Sequence, residues 1–311
     1  MAVGPTPSQV PPGRPVELPG RGTTFVREIP GPRGAPAVIL VHGWTATGLL
    51  NWRPSMAALG ERYRVIAIDL RGHGKGIACK PFRLVDCADD IAALIDVLEV
   101  EHAILAGYSM GGPISLLTWQ RHRDAVDGVV LCATAASFPG AAQATPLFYG
   151  LLAGVTLTPI PRLGDVVRRV MTAVAPPGWI DTGEIRGHDA RSLVEGGLEL
   201  GRFSALGWLN EVDVPTAVVL TMRDPLVPAA EQRIMAASIP GARVFEVDGD
   251  HFACALNPQV FVPALVDACD DVAGRAAQRR RRRERSEAAE GERGRSCRIA
   301  IWDDREERSI A

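Results

Sequence analysis

Short apolar runs recur along the chain, separated by polar or glycine-rich segments. Ala37–Val41 (AVILV), Arg64–Ile68 (RVIAI), His102–Ala106 (HAILA) and Asp127–Cys132 (DGVVLC) are nearly continuous in apolar residues. They lack the strict alternation of a strand with one wet face, and they are too short for most buried helices. They therefore read as strands covered on both sides. Thr24–Ile29 predicts an early edge strand. Between the runs the period changes. Leu84 to Leu98 places apolar residues at 84, 88, 91, 94, 95 and 98, which suits an amphipathic helix. Met110, Ile114, Leu116 and Leu117 predict another helix after the third run. Strands alternating with helices of this length imply an α/β fold, with a mostly parallel sheet wrapped by helices on both faces.

The alternation breaks after Ala136. Residues 137–210 carry no convincing strand, contain Pro139, Pro146, Pro159, Pro161, Pro176 and Pro177, and show helical stretches at Leu163–Val174 and Ala190–Leu200. Strand patterns resume at Val214, with Thr216–Met222 and Ala242–Val247. An insertion of this size between two strands is expected to overhang the edge where the strands end.

The candidate chemistry lies at that edge. Gly107-Tyr108-Ser109-Met110-Gly111 is a G-x-S-x-G pentapeptide, set between the third apolar run and the helix beginning near Met110. On such a sharp strand-to-helix turn the serine hydroxyl is pushed out at the end of the sheet, and glycines remove Cβ atoms that would clash. A serine hydroxyl is a weak nucleophile and needs a base. His251 follows the strand at Ala242–Val247, and histidine ordinarily titrates near working pH. Asp224 follows the strand at Thr216–Met222 and is placed to hold the imidazole in the required tautomer. The position just past Cys132 offers Ala133-Thr134-Ala135-Ala136 and no carboxylate. Asp248 and Asp250 are too near His251 in sequence to reach around its ring and read as turn residues. His42-Gly43-Trp44 ends the first buried strand. The backbone N–H groups of Trp44 and Met110 are expected to form a two-donor oxyanion hole. Ser109, Asp224 and His251 each stand just past the carboxyl end of a strand, where open parallel sheets bind ligands.

The landmarks Gly107-Tyr-Ser-Met-Gly-Gly112, His42-Gly-Trp44, Asp69-Leu-Arg-Gly-His-Gly74, Arg223-Asp-Pro-Leu-Val-Pro228 and His251-Phe…Asn257-Pro258 together resemble the α/β-hydrolase fold family over roughly residues 20–272. One departure is Lys75-Gly76, where the family often has a serine. The resemblance implies a Ser-Asp-His serine hydrolase with a helical cap. The expected organisation is a flexible segment at 1–22, an α/β-hydrolase core at 23–136 and 211–273, a helical cap at 137–210 and a charged tail at 274–311. Within the cap Phe148, Leu151, Leu152, Met171 and Trp208 are candidates to line an acyl pocket, although such residues more commonly pack a cap onto its core. Aspartate occupies the serine position in the dehalogenases and epoxide hydrolases that are similar to this fold, so Ser109 argues against those reactions. The expected function is cleavage of a carboxylic ester or related acyl bond of a small, partly apolar substrate through an acyl-enzyme. Hydrolysis of a carbon–carbon bond in ring-cleavage products, with the same triad and a cap, is the alternative, as is a non-catalytic ligand-binding protein on the same scaffold.

Composition narrows the class. A net charge of −2 is not that of a chain basic throughout, so no nucleic-acid partner is expected, and no run of 18 apolar residues predicts a membrane span. The Pro- and Gly-rich start lacks the charged and apolar regions of a secretory signal. Cysteines at 79, 87, 132, 254, 269 and 297 form no C-x-x-C pair and no metal spacing, so reduced thiols, a cytoplasmic location, no metal and no organic cofactor are expected. His102, His122 and His188 read as surface or helix-end residues, His73 as structural, His42 as bonded within the oxyanion loop and Asp69 as a loop anchor. The last segment holds Arg279–Arg283 in one run, then eight acidic residues from Glu284 onward and few apolar ones. Such a segment does not bury enough surface to fold alone, which predicts a solvated, disordered tail dispensable for catalysis.

Overall fold

The computed structural model describes residues 11–147, 149–150 and 187–307, with side chains described through Ser286. Eight strands form one sheet: β1 (Gly13–Leu18), β2 (Gly22–Ile29), β3 (Ala37–Val41), β4 (Arg64–Asp69), β5 (Ala103–Tyr108), β6 (Gly128–Cys132), β7 (Thr216–Thr221) and β8 (Arg243–Val247). The spatial order is β1-β2-β4-β3-β5-β6-β7-β8. Only the β1–β2 and β2–β4 pairs are antiparallel; the others are parallel. Every residue of β3, β5, β6 and β7 is buried, as continuous apolar runs require when helices cover both faces.

Alternate strand residues feed two cores. Ile39, Val41, Leu105, Leu131 and Leu220 join α2 (Leu84–Val97) and α3 (Gly111–Arg121) on one face. Val38, Leu40, Ile104, Ala106 and Val130 join α1 (Gly48–Gly60) and Phe261, Leu265 and Val272 on the other. The period-2 alternation of side chains along each strand produces this division.

The segment after β6 contains α4 (Pro139–Gln143) and α5 (Ala190–Arg202). Helix α5 rests on loops that follow β3 and β4. The Trp44 indole N–H donates to the Leu193 carbonyl (2.8 Å), and Phe82 N–H donates to Glu195 Oε2 (2.6 Å). Leu84, at the start of α2, donates its N–H to Glu199 Oε2 (3.2 Å). Helix α2 has no side-chain cap from its own preceding residue, Arg83. A carboxylate from a distant helix thus takes an orphan donor that a local cap would otherwise satisfy. The expected helix at Leu163–Val174, and Phe148, Leu151, Leu152 and Met171, lie outside the described residues.

Three expectations are corrected. Residues 1–22 are not wholly a flexible lead-in, because Gly13–Leu18 forms β1 and buries Val16 and Leu18. Its Pro15 is tolerated because β1 is an edge strand. For the same reason Thr24–Ile29, within β2, is an inner strand rather than an edge. The charged tail is not disordered from residue 274: after α6 (Ala229–Ser238) and α7 (Ala253–Leu256), helix α8 runs from Pro258 to Glu307. Phe261, Leu265, Cys269 and Val272 are fully buried and nucleate it. The Ala/Arg/Glu-rich sequence beyond propagates the helix without a new nucleation cost. Arg275 donates to the Thr216 carbonyl (2.7 Å), while Arg279 and Arg280 pair with Asp213 (2.8 Å) and Asp127 (2.7 Å). Trp208 packs on the core, its ring stacked on Trp119 near the C-terminal end of α3 with centroids 6.3 Å apart.

Candidate active site

The loops that leave β3, β5, β6, β7 and β8 converge at one edge of the sheet. Among the described residues, four non-glycine residues have positive φ, and three of them follow these strands: Thr45 (62°), Ser109 (50°) and Ala133 (46°). Such conformations cost on the order of 1–3 kcal/mol each and persist only where surrounding contacts over-determine them.

The contacts at Ser109 are explicit. Its N–H donates to the Cys132 carbonyl (2.9 Å), and its own carbonyl accepts from Gly112 N–H (2.9 Å) and Thr134 Oγ1 (2.7 Å). The flanking glycines are required by close approach. A Cβ on Gly107 would lie 2.3 Å from the Gly111 carbonyl oxygen, one on Gly111 2.2 Å from that of Val41, and one on Gly112 2.4 Å from Thr134 Oγ1. Thr134 is a site residue that sequence reasoning did not single out. Its place just past β6 was the only hint, because a threonine among alanines carries no catalytic signature.

The three predicted side chains meet. His251 Nε2 is 3.0 Å from Ser109 Oγ, and His251 Nδ1 is 2.7 Å from Asp224 Oδ2. Asp224 is buried, and its carboxylate is saturated with donors. Oδ1 accepts from the N–H groups of Leu226 (2.9 Å) and Val227 (2.8 Å), and Oδ2 accepts also from Thr221 Oγ1 (2.8 Å). An Nδ1–H pointing at this carboxylate leaves Nε2 as the acceptor for a serine proton. Asp248 instead pairs with exposed Arg223 (3.1 Å), and Asp250 Oδ1 accepts the Phe252 N–H (2.9 Å), so both serve the turn.

The loop after β3 abuts the serine: a Cβ on Gly43 would lie 3.2 Å from Ser109 Cβ. Met110 opens α3, where backbone N–H groups have no partner inside the helix. Trp44 and Met110 therefore stand on two loops in contact around Ser109. His42 is fully buried. Its Nε2 accepts the Leu70 N–H (3.0 Å), so the ring proton sits on Nδ1 and donates to the Gly43 carbonyl (2.8 Å). Burial depresses its pKa to about 4. His73 packs against it, with ring centroids 5.3 Å apart, and His188 packs against His73 at 5.2 Å. Burial and its two histidine neighbours push His73 well below the ordinary range. His188 is therefore buried rather than superficial, and its Nδ1 accepts the Gly74 N–H (3.0 Å). His102 and His122 stay at the surface beside Asp127 and Asp89. Asp69 anchors its loop by accepting from Gly48 (2.9 Å) and Lys75 (3.0 Å), with its pKa raised by burial.

No cluster among the described residues has the make-up of a metal site, and no described helix is long and apolar enough to cross a membrane. Residues 36–165 match the family model described as alpha/beta hydrolase fold. The chain is 27% identical over 240 residues to 3-oxoadipate enol-lactonase 2 of Acinetobacter baylyi, covering 74% of this chain and 87% of that protein. It is likewise 27% identical to the putative carbamate hydrolase RutD of Azorhizobium caulinodans, over 77% of this chain and 93% of that one. The crystal structure of the enol-lactonase from Burkholderia xenovorans superposes with a TM-score of 0.64 at 26% identity, covering 83% of this chain and 100% of that one.

Proposed function

The chain belongs to the α/β-hydrolase fold family, and from that premise we propose that it is a serine hydrolase of carboxylic esters or related acyl bonds, acting through an acyl-enzyme. The observation that carries the reading is the continuous hydrogen-bonded line from Ser109 Oγ through His251 to a buried, donor-saturated Asp224. Ser109 Oγ attacks the carbonyl carbon as His251 Nε2 takes its proton, and the resulting oxyanion accepts from the N–H groups of Trp44 and Met110. Collapse expels the alcohol, which receives the proton from His251. Water then attacks the acyl-enzyme, again giving its proton to Nε2, and the carboxylic acid leaves as Ser109 regains its hydrogen. Asp224 stays ionised and stabilises the imidazolium. None of these steps uses a metal or organic cofactor.

The named relatives support ester-like chemistry, since a lactone is a cyclic ester and a carbamate contains an acyl carbon bound to oxygen. We read α5 as part of a cap over the site, because it bonds to the loop that carries Trp44. Arg191, which a polar cap contact to a carbon–carbon substrate would call on, is engaged with Glu195 (2.7 Å). The test is labelling with a fluorophosphonate followed by peptide mapping, with turnover of p-nitrophenyl esters of increasing chain length alongside a ring-cleavage 1,5-diketone. Label on Ser109 with ester turnover supports the reading. Label elsewhere, undiminished label in Ser109→Ala, or turnover of the diketone alone refutes it.

A further inference from the structure

We propose that Asn51 is a positioning residue of this site, acting through Cys254 to hold the oxyanion loop in register with the loop of His251. The inference rests on the hydrolase reading above. Asn51 lies in the first turn of α1 and is 1% exposed. Asparagine is a poor residue inside a helix because its side chain competes for backbone groups, so its use there calls for a reason.

That reason is the bridge it makes. Gly43 N–H lies 2.7 Å from Asn51 Oδ1, and Asn51 Nδ2 lies 3.2 Å from Cys254 Sγ. The amide orientation is fixed, because a backbone N–H only donates and so faces the oxygen. The NH2 group then donates to the sulfur of Cys254. Burial pushes that thiol up to about 12, so it keeps its proton. On the same loop, the His251 carbonyl accepts from the Tyr108 hydroxyl (2.7 Å). Asn51, Cys254 and Tyr108 are all buried. The donors therefore run from Gly43 through Asn51 to Cys254, three residues after His251. A buried bridge ties the loop after β3 to the loop after β8, and Tyr108, the residue before Ser109, bonds to that second loop.

The consequence for chemistry follows from peptide geometry. Asn51 holds the N–H of Gly43, and the His42 ring holds its carbonyl (2.8 Å). With both ends of Gly43 fixed, the next peptide plane is fixed too. In a planar trans peptide the Trp44 N–H points opposite to the Gly43 carbonyl. Asn51 thus aims a proposed oxyanion donor it never touches. The same bond removes Gly43 N–H from the candidate donors and so agrees with the expected assignment to Trp44. Sites of this kind work by donors already aimed at where charge develops, so loosening them costs turnover more than substrate binding.

The test compares Asn51→Leu, Cys254→Ala, Cys254→Ser and the Asn51→Leu/Cys254→Ala double variant with wild type. The kcat and KM for p-nitrophenyl acetate are expressed per site titrated with fluorophosphonate, which discounts misfolded protein. Removing one oxyanion donor outright costs about 100- to 1,000-fold, so misaiming one is expected to lower kcat in Asn51→Leu by roughly 10- to 100-fold, with KM changed less than about threefold. Cys254→Ala is expected to lose less, and Cys254→Ser to recover most of that loss because a hydroxyl accepts the Asn51 amide in the same place. The double variant should match Asn51→Leu, since both changes cut one chain. Per-site kcat within twofold of wild type in Asn51→Leu, equal losses in Cys254→Ala and Cys254→Ser, or multiplying losses in the double variant would each overturn the proposal. Should Asn51→Leu fail to fold, the Cys254 pair decides alone. A wild-type protein that neither labels at Ser109 nor turns over the ester overturns the hydrolase reading, and this inference with it.

Discussion

Acidification should destabilise this protein through His42, and the structure gives the sign and the size. The neutral ring is locked by two bonds, Nε2 accepting from Leu70 N–H and Nδ1 donating to the Gly43 carbonyl. A second ring proton would have to sit on Nε2 and face a donor. Burial accordingly depresses the folded pKa to about 4 from the ordinary 6.5. Between those values the unfolded chain binds a proton that the folded chain refuses. Stability is therefore fully present above about pH 6.5 and is lost as pH falls toward 4. At 1.36 kcal/mol per unit, the full loss is roughly 3 kcal/mol, of which about 2 kcal/mol falls between pH 7 and pH 5. His73 is depressed as well and adds in the same direction, whereas Asp69, raised by burial, opposes at the acid end. Comparison with His42→Gln isolates the one group, because glutamine keeps a donor and an acceptor and does not titrate. Urea unfolding followed by tryptophan fluorescence at intervals from pH 7 to 5 should give a steeper decline in wild type, by up to one proton. Parallel profiles for the two proteins would refute the argument.

Other consequences are as direct. His251→Ala should lower kcat by several orders of magnitude on p-nitrophenyl acetate, with Asp224→Asn also severe because it favours the wrong tautomer; near-wild-type turnover in either would remove that residue from the mechanism. Gly112→Val would drive a side chain into Thr134, whose Oγ1 would lie only 2.4 Å from the new Cβ, and should cost about 1–3 kcal/mol in urea unfolding together with most Ser109 labelling; an unchanged midpoint would contradict the packing. Truncation after Ser286 should leave the melting temperature unchanged. Truncation after Gly274 should lower it, because that cut removes Arg275, Arg279 and Arg280 with their bonds to Thr216, Asp213 and Asp127 and the buried Ala276; equal melting temperatures would restore the dispensable tail.

Local pattern alone determined a good deal about this chain. Continuous apolar runs of five or six residues required strands covered on both sides, and the helical spacing at Leu84–Leu98 required α2. Ser109, Asp224 and His251 were legible because each combines a chemically distinctive residue with a position just past a strand. In a parallel sheet all such positions fall on one edge. The tail was misread because composition reports whether a segment folds alone, whereas α8 grows from a core that is already folded. The lead-in expected at 1–22 misses β1 at residues 13–18 in the same way, since that edge strand forms by pairing with β2.

Tertiary structure decided the rest, and the reason is common to every case. Periodicity tells which face of an element is buried but not which distant element meets it. Thr134 against the Ser109 carbonyl, the edge-on packing of His42, His73 and His188, and the Gly43–Asn51–Cys254 bridge join segments 25 to more than 200 residues apart. The residues involved are types that also serve as ordinary packing. Their roles follow from hydrogen-bond direction inside a close-packed interior, where each buried donor must find an acceptor. That constraint acts only once the sheet has brought the loops together.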